Sequence, residues 1–485
     1  MEYGDLLSAL KRFSFEEKMR VAQNCSRRTI TPKGVVDVDI MREIASPWEL
    51  ETFVLFAIKS EEWKHDEFRG KNNRKFAQMI NCIRNENPPI MKKSDGEGFL
   101  TWVLALTASV QFEIQEHYPF KMFRFNYFFS FVNDNIDMPK VFKEKFGCEY
   151  YEYSLLGHLL WLVFTTKDFS QELFTAVIKR FTLPVSNLIL SRQAHIESLD
   201  KITTDPVNYL YCLRPSYSYP FVEHKGLVYC PLPHLLRRAT TSSLMHRLTD
   251  GDPKLMALIG KEVYEGYLYT IISESGIFDE VIPEKKYRFH KAERRTADVM
   301  ARRGNDYVFF DSKSFTPKIA IRTFSQVALD QDVERLAESC AQVYRHVRQR
   351  FPNEYCFFEH SPEPPAENIF GLVVLQEDPY ITGDVIYRKA AEILKIAEDS
   401  DEFVWLYSHV GMASIYSVER FCFSGTEVCT SLHKTCDEKK ITHAWLIGDT
   451  NAKINYKRHT VFMDQVKQDM VQILKELDKS NQTLN

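Results

Sequence analysis

The chain has 485 residues, 44% of them hydrophobic and 13% aromatic, which suffices for two or three domains and excludes a largely disordered protein. A formal net charge of −4 excludes a uniformly basic nucleic-acid coat protein but leaves room for a local basic groove. Ten cysteines without a C-x-x-C pair fit buried thiols in a reducing cytoplasm, not a zinc site or a disulfide framework.

The N-terminus is polar and amphipathic, unlike a secretory signal. Ser46-Pro47-Trp48-Glu49 is a helix start, with a capping serine, a proline in the first turn and a glutamate three residues after the serine. Helical stripes follow through Phe53, Phe56 and Ala57, then through Phe76, Met79, Ile80 and Ile83. An aromatic-rich stretch runs from Phe99 to Phe131. Leu155 to Phe164 is apolar nearly all round, as a buried helix is, and is too short to span a bilayer. Residues 1–205 therefore read as an α-helical N-terminal domain. Residues 206–485 form a second unit, opening with a small bridge. In that bridge, Pro220 to Pro231 reads as a small hairpin connected through Glu223-His224-Lys225-Gly226, and Pro233 to Leu248 reads as a helix carrying Arg237 and Arg238.

A helical pattern covers Ile259 to Ile272, with Leu258, Glu262 and Glu265 on one spacing and Val263, Tyr267 and Thr270 on another. Ile277 to His290 reads as a strand interrupted at Pro283. Next come Thr296-Ala297-Asp298 followed by Val299-Met300, a turn-rich Arg302-Arg303-Gly304-Asn305-Asp306, and Tyr307-Val308-Phe309-Phe310 running into Asp311-Ser312-Lys313. This pattern predicts a hairpin. Strand side chains alternate, so Asp311 and Lys313 share a face, Ser312 points away, and Asp298 can join the first two. A D-x-K strand taken alone usually marks a surface ion pair. Here the acid emerges from a core strand, and two nearby carboxylates raise each other's pKa unless a cation joins them. Basic residues flank the motif: Lys285-Lys286, Arg288, Lys291, Arg294-Arg295, Arg302-Arg303, Lys318 and Arg322.

Further on, a helix is expected from about Ser325 to Arg350, with Leu329, Val333, Leu336, Cys340, Val343 and Val347 as its apolar stripe and Gln342 beside them. Ser361 to Glu367 reads as a loop and Ile369 to Leu375 as a buried strand. Val385 to Ala397 reads as a helix, Phe403 to Tyr407 as another buried strand, and Ser414 to Cys436 as helix weakened at Gly425. The last helix spans about Val461 to Leu477, before a frayed tail at Ser480 to Asn485. The alternation predicts an α/β (α+β) fold with a mixed central sheet flanked by helices.

Glutamate on a first helix, aspartate on a second strand and D-x-K on a third resembles the PD-(D/E)xK nuclease superfamily, over roughly the C-terminal half. The proline of the family name is absent; Ala297 precedes Asp298. The resemblance implies a restriction-endonuclease-like fold and an endonuclease using Mg²⁺ or Mn²⁺. Asp298 and Asp311 would bind the metal with help from Glu265, Lys313 would be the catalytic lysine, and Gln342 would be accessory. It also implies a nucleic-acid substrate, DNA favoured, a cytoplasmic setting without a membrane, and a role similar to bacterial anti-phage or mobile-element defence, with a homo-oligomer open. The alternatives are an RNase of the same fold, for instance one cleaving tRNA, and a non-catalytic nucleic-acid-binding or assembly protein.

Overall fold

A computed structural model describes residues 1–31, 37, 45–69, 73–86, 96–108, 110, 116–167, 169–359, 364–437 and 453–482. Parts of the expected 99–131 helical stretch, of the 361–367 loop and of the 480–485 tail lie outside these residues.

The fold is mixed α/β. A small sheet of β1 (Ile189–Ser191), β2 (Phe221–His224) and β3 (Leu227–Tyr229) contains the expected hairpin, its turn formed by Lys225 and Gly226 at φ 53° and 78°. β1 adds to β2 in parallel.

Seven further strands follow: β4 (Glu280–Pro283), β5 (Lys286–Phe289), β6 (Ala292–Arg295), β7 (Val299–Arg303), β8 (Asp306–Lys313), β9 (Ile369–Leu375) and β10 (Val410–Ser414). Five make the central sheet in the order β10-β9-β8-β7-β4. β4, β7 and β8 run antiparallel; β8, β9 and β10 run parallel. The crossover from β8 to β9 carries the helix Gln326–Tyr344, which Ser325 caps by accepting from Ala328 N. All seven residues of β9 are buried, as expected of a strand covered on both faces.

Alternation divides the sheet into two faces. Val299, Val308, Phe310, Leu372 and Val374 pack with the helices Tyr118–Ser130, Tyr150–Thr165 and Glu265–Glu274. Met300, Phe309, Val373 and Met412 pack with the helices Gln326–Tyr344 and Gly383–Leu394. At Gly371 a Cβ would come within 2.2 Å of Val343 Cγ1, so glycine is what lets this helix lie flat on β9. A third core joins the helices Phe15–Thr29, Pro47–Lys59 and Asn73–Asn85 to residues 196–235. The apolar packing thus crosses residue 205: helices from before it cover the central sheet, and residues after it complete the N-terminal core.

Ser46 and Glu49 form the expected capping box. Gly425, at φ 68°, ends the helix Ile415–Ser424 before Val428–Asp437 begins.

Three expected elements differ. The stretch Ile277 to His290 is two strands in two sheets: β4 ends at Pro283 on the sheet edge, where a missing N–H is tolerated, and β5 pairs with β6 in a separate hairpin. Phe403 to Tyr407 is helix, within Asp401–His409. Ser400 caps it, accepting from Phe403 N, and Asp401 and Glu402 fill the first turn; these start signals outweigh the aromatic β-propensity, and the strand begins at Val410. The expected Pro233–Leu248 helix breaks at Thr240-Thr241 into Leu236–Ala239 and Ser242–Thr249.

Candidate active site

The β7–β8 hairpin turns through Gly304-Asn305, with Gly304 at φ 58° and its N–H held by Asp279 Oδ2 at 2.7 Å. Its register pairs Val299 with Phe310 and Arg303 with Asp306. Extended by one step, the register sets Asp298 opposite Asp311. Asp298 sits in a bend just before β7, so its carboxylate reaches across the strand end. Ser312 N and Ser312 Oγ both donate to Asp298 Oδ2, at 2.7 and 2.8 Å. The serine expected to point away therefore braces the first acid.

Asp311 is buried to 2% exposure. Its Oδ2 lies 2.6 Å from Lys313 Nζ, yet off the hydrogen-bonding direction, so this buried oxygen has no hydrogen-bond donor. Gln342 Nε2 donates to the other oxygen at 3.4 Å, from the helix above that face. Asp298, Asp311, Lys313 and Gln342 thus meet at the end of β8. Burial, then the nearby Asp311 charge, raises the Asp298 pKa to about 6; the Ser312 donors and Lys313 oppose the rise.

Glu265 approaches from the other side. Its helix packs on the face of Phe310, whereas Phe309 and Asp311 belong to the opposite face. Two contacts fix that helix: Tyr264 OH donates to Val374 O at 3.2 Å, and Gly260 lies so close to Ser314 that a Cβ would come within 2.8 Å of its Oγ. Burial raises the Glu265 pKa to about 8, helped by the charges of Asp298, Glu284 and Asp311 and opposed by Lys261. Among the described residues no three Asp, Glu, His or Cys side chains are grouped to hold a metal. The two aspartates still fit a hard divalent cation: both offer carboxylate oxygen, one buried oxygen lacks a donor, and their mutual repulsion is what a cation would relieve.

No protein-family model, curated protein or solved structure matches the chain. The site is therefore read from its own geometry.

A feature missed in the sequence lies beside it. β5 and β6 form a two-stranded arm inserted between β4 and β7, turning at His290 and Lys291 with φ 46° and 67°. Reciprocal bonds of Lys285 and Thr296, each 2.9 Å, close its base two residues before Asp298. Lys285, Lys286, Arg288, Lys291, Arg294 and Arg295 are all exposed on it. The signal was the alternation of basic and aromatic residues over Lys286 to Phe289, followed by a turn at His290-Lys291 and a second basic stretch ending in Arg294-Arg295. Among the described residues no helix is long and apolar enough to cross a membrane.

Proposed function

We propose that the chain is a nuclease that hydrolyses phosphodiester bonds in nucleic acid at the Asp298–Asp311–Lys313 centre. The observation that carries the reading is the register: Asp298 falls opposite Asp311, with Lys313 on the same strand 2.6 Å from the buried carboxylate oxygen. Asp298 and Asp311 would hold Mg²⁺ or Mn²⁺, which when bound supplies Lewis-acid polarisation of the phosphate and a more acidic water. Lys313 is the cation of the centre and stabilises negative charge growing on the phosphate oxygens. Ser312 fixes the orientation of Asp298, and Gln342 that of Asp311. Glu265, held largely protonated near neutral pH, has a proton to give or take at the margin of the site. The β5–β6 arm offers exposed cations where the phosphate backbone would approach, a contact that weakens with salt. The order of a helix bearing Glu265, a second strand headed by Asp298 and a third ending in D-x-K supports the PD-(D/E)xK resemblance.

The test is cleavage of plasmid, single-stranded DNA and total RNA with Mg²⁺, Mn²⁺ or EDTA. Asp311→Ala and Lys313→Ala should each lower the rate at least about a hundredfold while the circular-dichroism spectrum stays that of the parent. Full activity in both variants, or cleavage in EDTA, overturns the assignment. The preferred nucleic acid separates DNase from RNase.

A further inference from the structure

A cavity of about 1340 Å³ lies next to this centre, and none of Glu265, Asp298, Asp311 or Lys313 lines it. It opens at the carboxyl-terminal ends of three neighbouring parallel strands. Thr316 and Pro317 follow β8, Gln376 and Glu377 follow β9, and Ser414 closes β10. Such ends are where open α/β sheets take ligands. The volume exceeds that of an ordinary small-molecule pocket.

Its chemistry is specific. Two helices of ten and twelve residues, Ile415–Ser424 and Gly383–Leu394, begin on its wall, with Ser414, Ser417 and Gly383 among the lining residues. Helix starts present N–H groups and positive partial charge to anions. Arg238, Arg322, Arg420 and Lys121 also line it. Ser242, 4% exposed, lines it with an Oγ that has no hydrogen-bond partner. Tyr217 lies in the wall with the Arg238 guanidinium 4.2 Å from its ring centre, and Tyr416 lies in the wall with Arg420 at 5.9 Å.

Acids line the cavity too, Asp250 among them, and five of them have protein partners. Glu116 pairs with Lys121 at 3.3 Å, and Glu377 with His246 at 3.2 Å. Asp252 accepts from Lys254 N and Leu255 N, Asp378 from Tyr380 N, and Asp384 from Tyr407 OH. The cations share the wall with these carboxylates, and the two helix starts add amide donors to it. Cations and amide donors suit a phosphate, and the aromatic and apolar walls suit a base.

We propose that this cavity binds a phosphorylated nucleoside, either a free nucleotide or the 5′-terminal nucleotide of a strand. The inference stands independently of the nuclease reading. The cavity is nonetheless wired to that centre, because Gln376 N donates to Lys313 O at 3.1 Å and Glu377 N to Phe315 O at 3.3 Å.

Calorimetric titration of the full chain, without divalent metal, tests it with four probes: ATP, a 5′-phosphorylated tetranucleotide, adenosine and inorganic phosphate. ATP or the tetranucleotide should bind with a Kd of roughly 10–100 µM, and adenosine at least about tenfold more weakly. Tighter binding of ATP identifies a free nucleotide as the ligand; tighter binding of the tetranucleotide identifies a strand end. Arg322→Glu and Arg420→Glu should each weaken binding about tenfold or more, and Asp311→Ala should leave it unchanged. Should either arginine variant fold poorly, Ser242→Val, which narrows the lumen, should show the same loss. Absence of binding by both phosphorylated probes at about 1 mM, equal affinity in the arginine and Ser242 variants, or loss in Asp311→Ala instead would each overturn the proposal. Because Asp311→Ala should lower cleavage and spare this binding, failure of one reading is distinguishable from failure of the other.

Discussion

Replacing Asp298 by asparagine should stabilise the metal-free protein, and only where Asp298 would otherwise be ionised. Folding raises its pKa from the ordinary 3.8 to about 6, first through burial and then through Asp311. A carboxyl whose folded pKa lies above its unfolded one binds its proton more tightly when folded. Stability is therefore fully present below pH 3.8, falls as pH rises, and has lost this contribution above about pH 6. At roughly 1.36 kcal/mol per pH unit the difference is worth at most about 3 kcal/mol. Solvent at this half-buried site screens part of it, so the expected gain is about 1–3 kcal/mol. Asparagine mimics the protonated acid and keeps an oxygen for the two Ser312 donors. Thermal melts in EDTA should show Asp298→Asn and parent together at pH 4 and the variant melting higher at pH 8, by roughly 2–4 °C for each kcal/mol in a unit of 150–250 residues. Adding Mg²⁺ should raise the parent's melting temperature and leave the variant's nearly unmoved, since only a pair of carboxylates gains a cation. A variant no more stable than the parent at pH 8, or a difference independent of pH, would refute the paired-carboxylate reasoning.

Two packing predictions follow from other parts of the fold. Glu419 is fully buried and receives Arg124 through two bonds of 2.6 Å, with Tyr267 OH at 2.6 Å, and Arg124 also binds Glu116; Arg124→Ala strands the Glu419 charge and should cost about 3–5 kcal/mol in thermal or urea unfolding, part of it recovered by an added Glu419→Leu. Gly371→Ala places a methyl 2.2 Å from Val343 Cγ1 and should cost about 1–3 kcal/mol, relieved by an added Val343→Ala; an unrelieved loss would mean the strain lies in β9 itself.

The hairpin carrying the acids was legible because its signals agree. A turn through Gly304, β-prone residues on both sides and a period of two all select the same pairing. The Gln326–Tyr344 helix was legible for the same reason, and Gln342 falls where its stripe predicts. Phe403 to Tyr407 misled because a short aromatic run has no period long enough to separate strand from helix; the deciding information lay in Ser400, Asp401 and Glu402 outside it. The β5–β6 arm was hidden because Pro283 looked like a fault within one strand, when it is the end of an edge strand. The cavity was not legible at all. Its wall comes from segments more than three hundred residues apart, and no local pattern records that meeting.

Glu265 stands before the two aspartates in the chain, but in space it comes from the other side of the sheet. Counting along the chain puts three acids in order, and order alone suggests a shared metal. The sheet separates them: Phe310 and the Glu265 helix occupy one face, Phe309 and Gln342 the other, and Asp311 follows Phe309 by two residues. Asp298 escapes this division because it lies in a bend past the last pair of β7, where no strand stands between it and Ser312. At this strand end, groups from both faces feel each other's charge. That is why Glu265 registers Asp298 and Asp311 electrostatically from across the sheet. Under the nuclease reading proposed above, the aspartates and Lys313 would form the reacting centre, and Glu265 would set the proton balance at its margin.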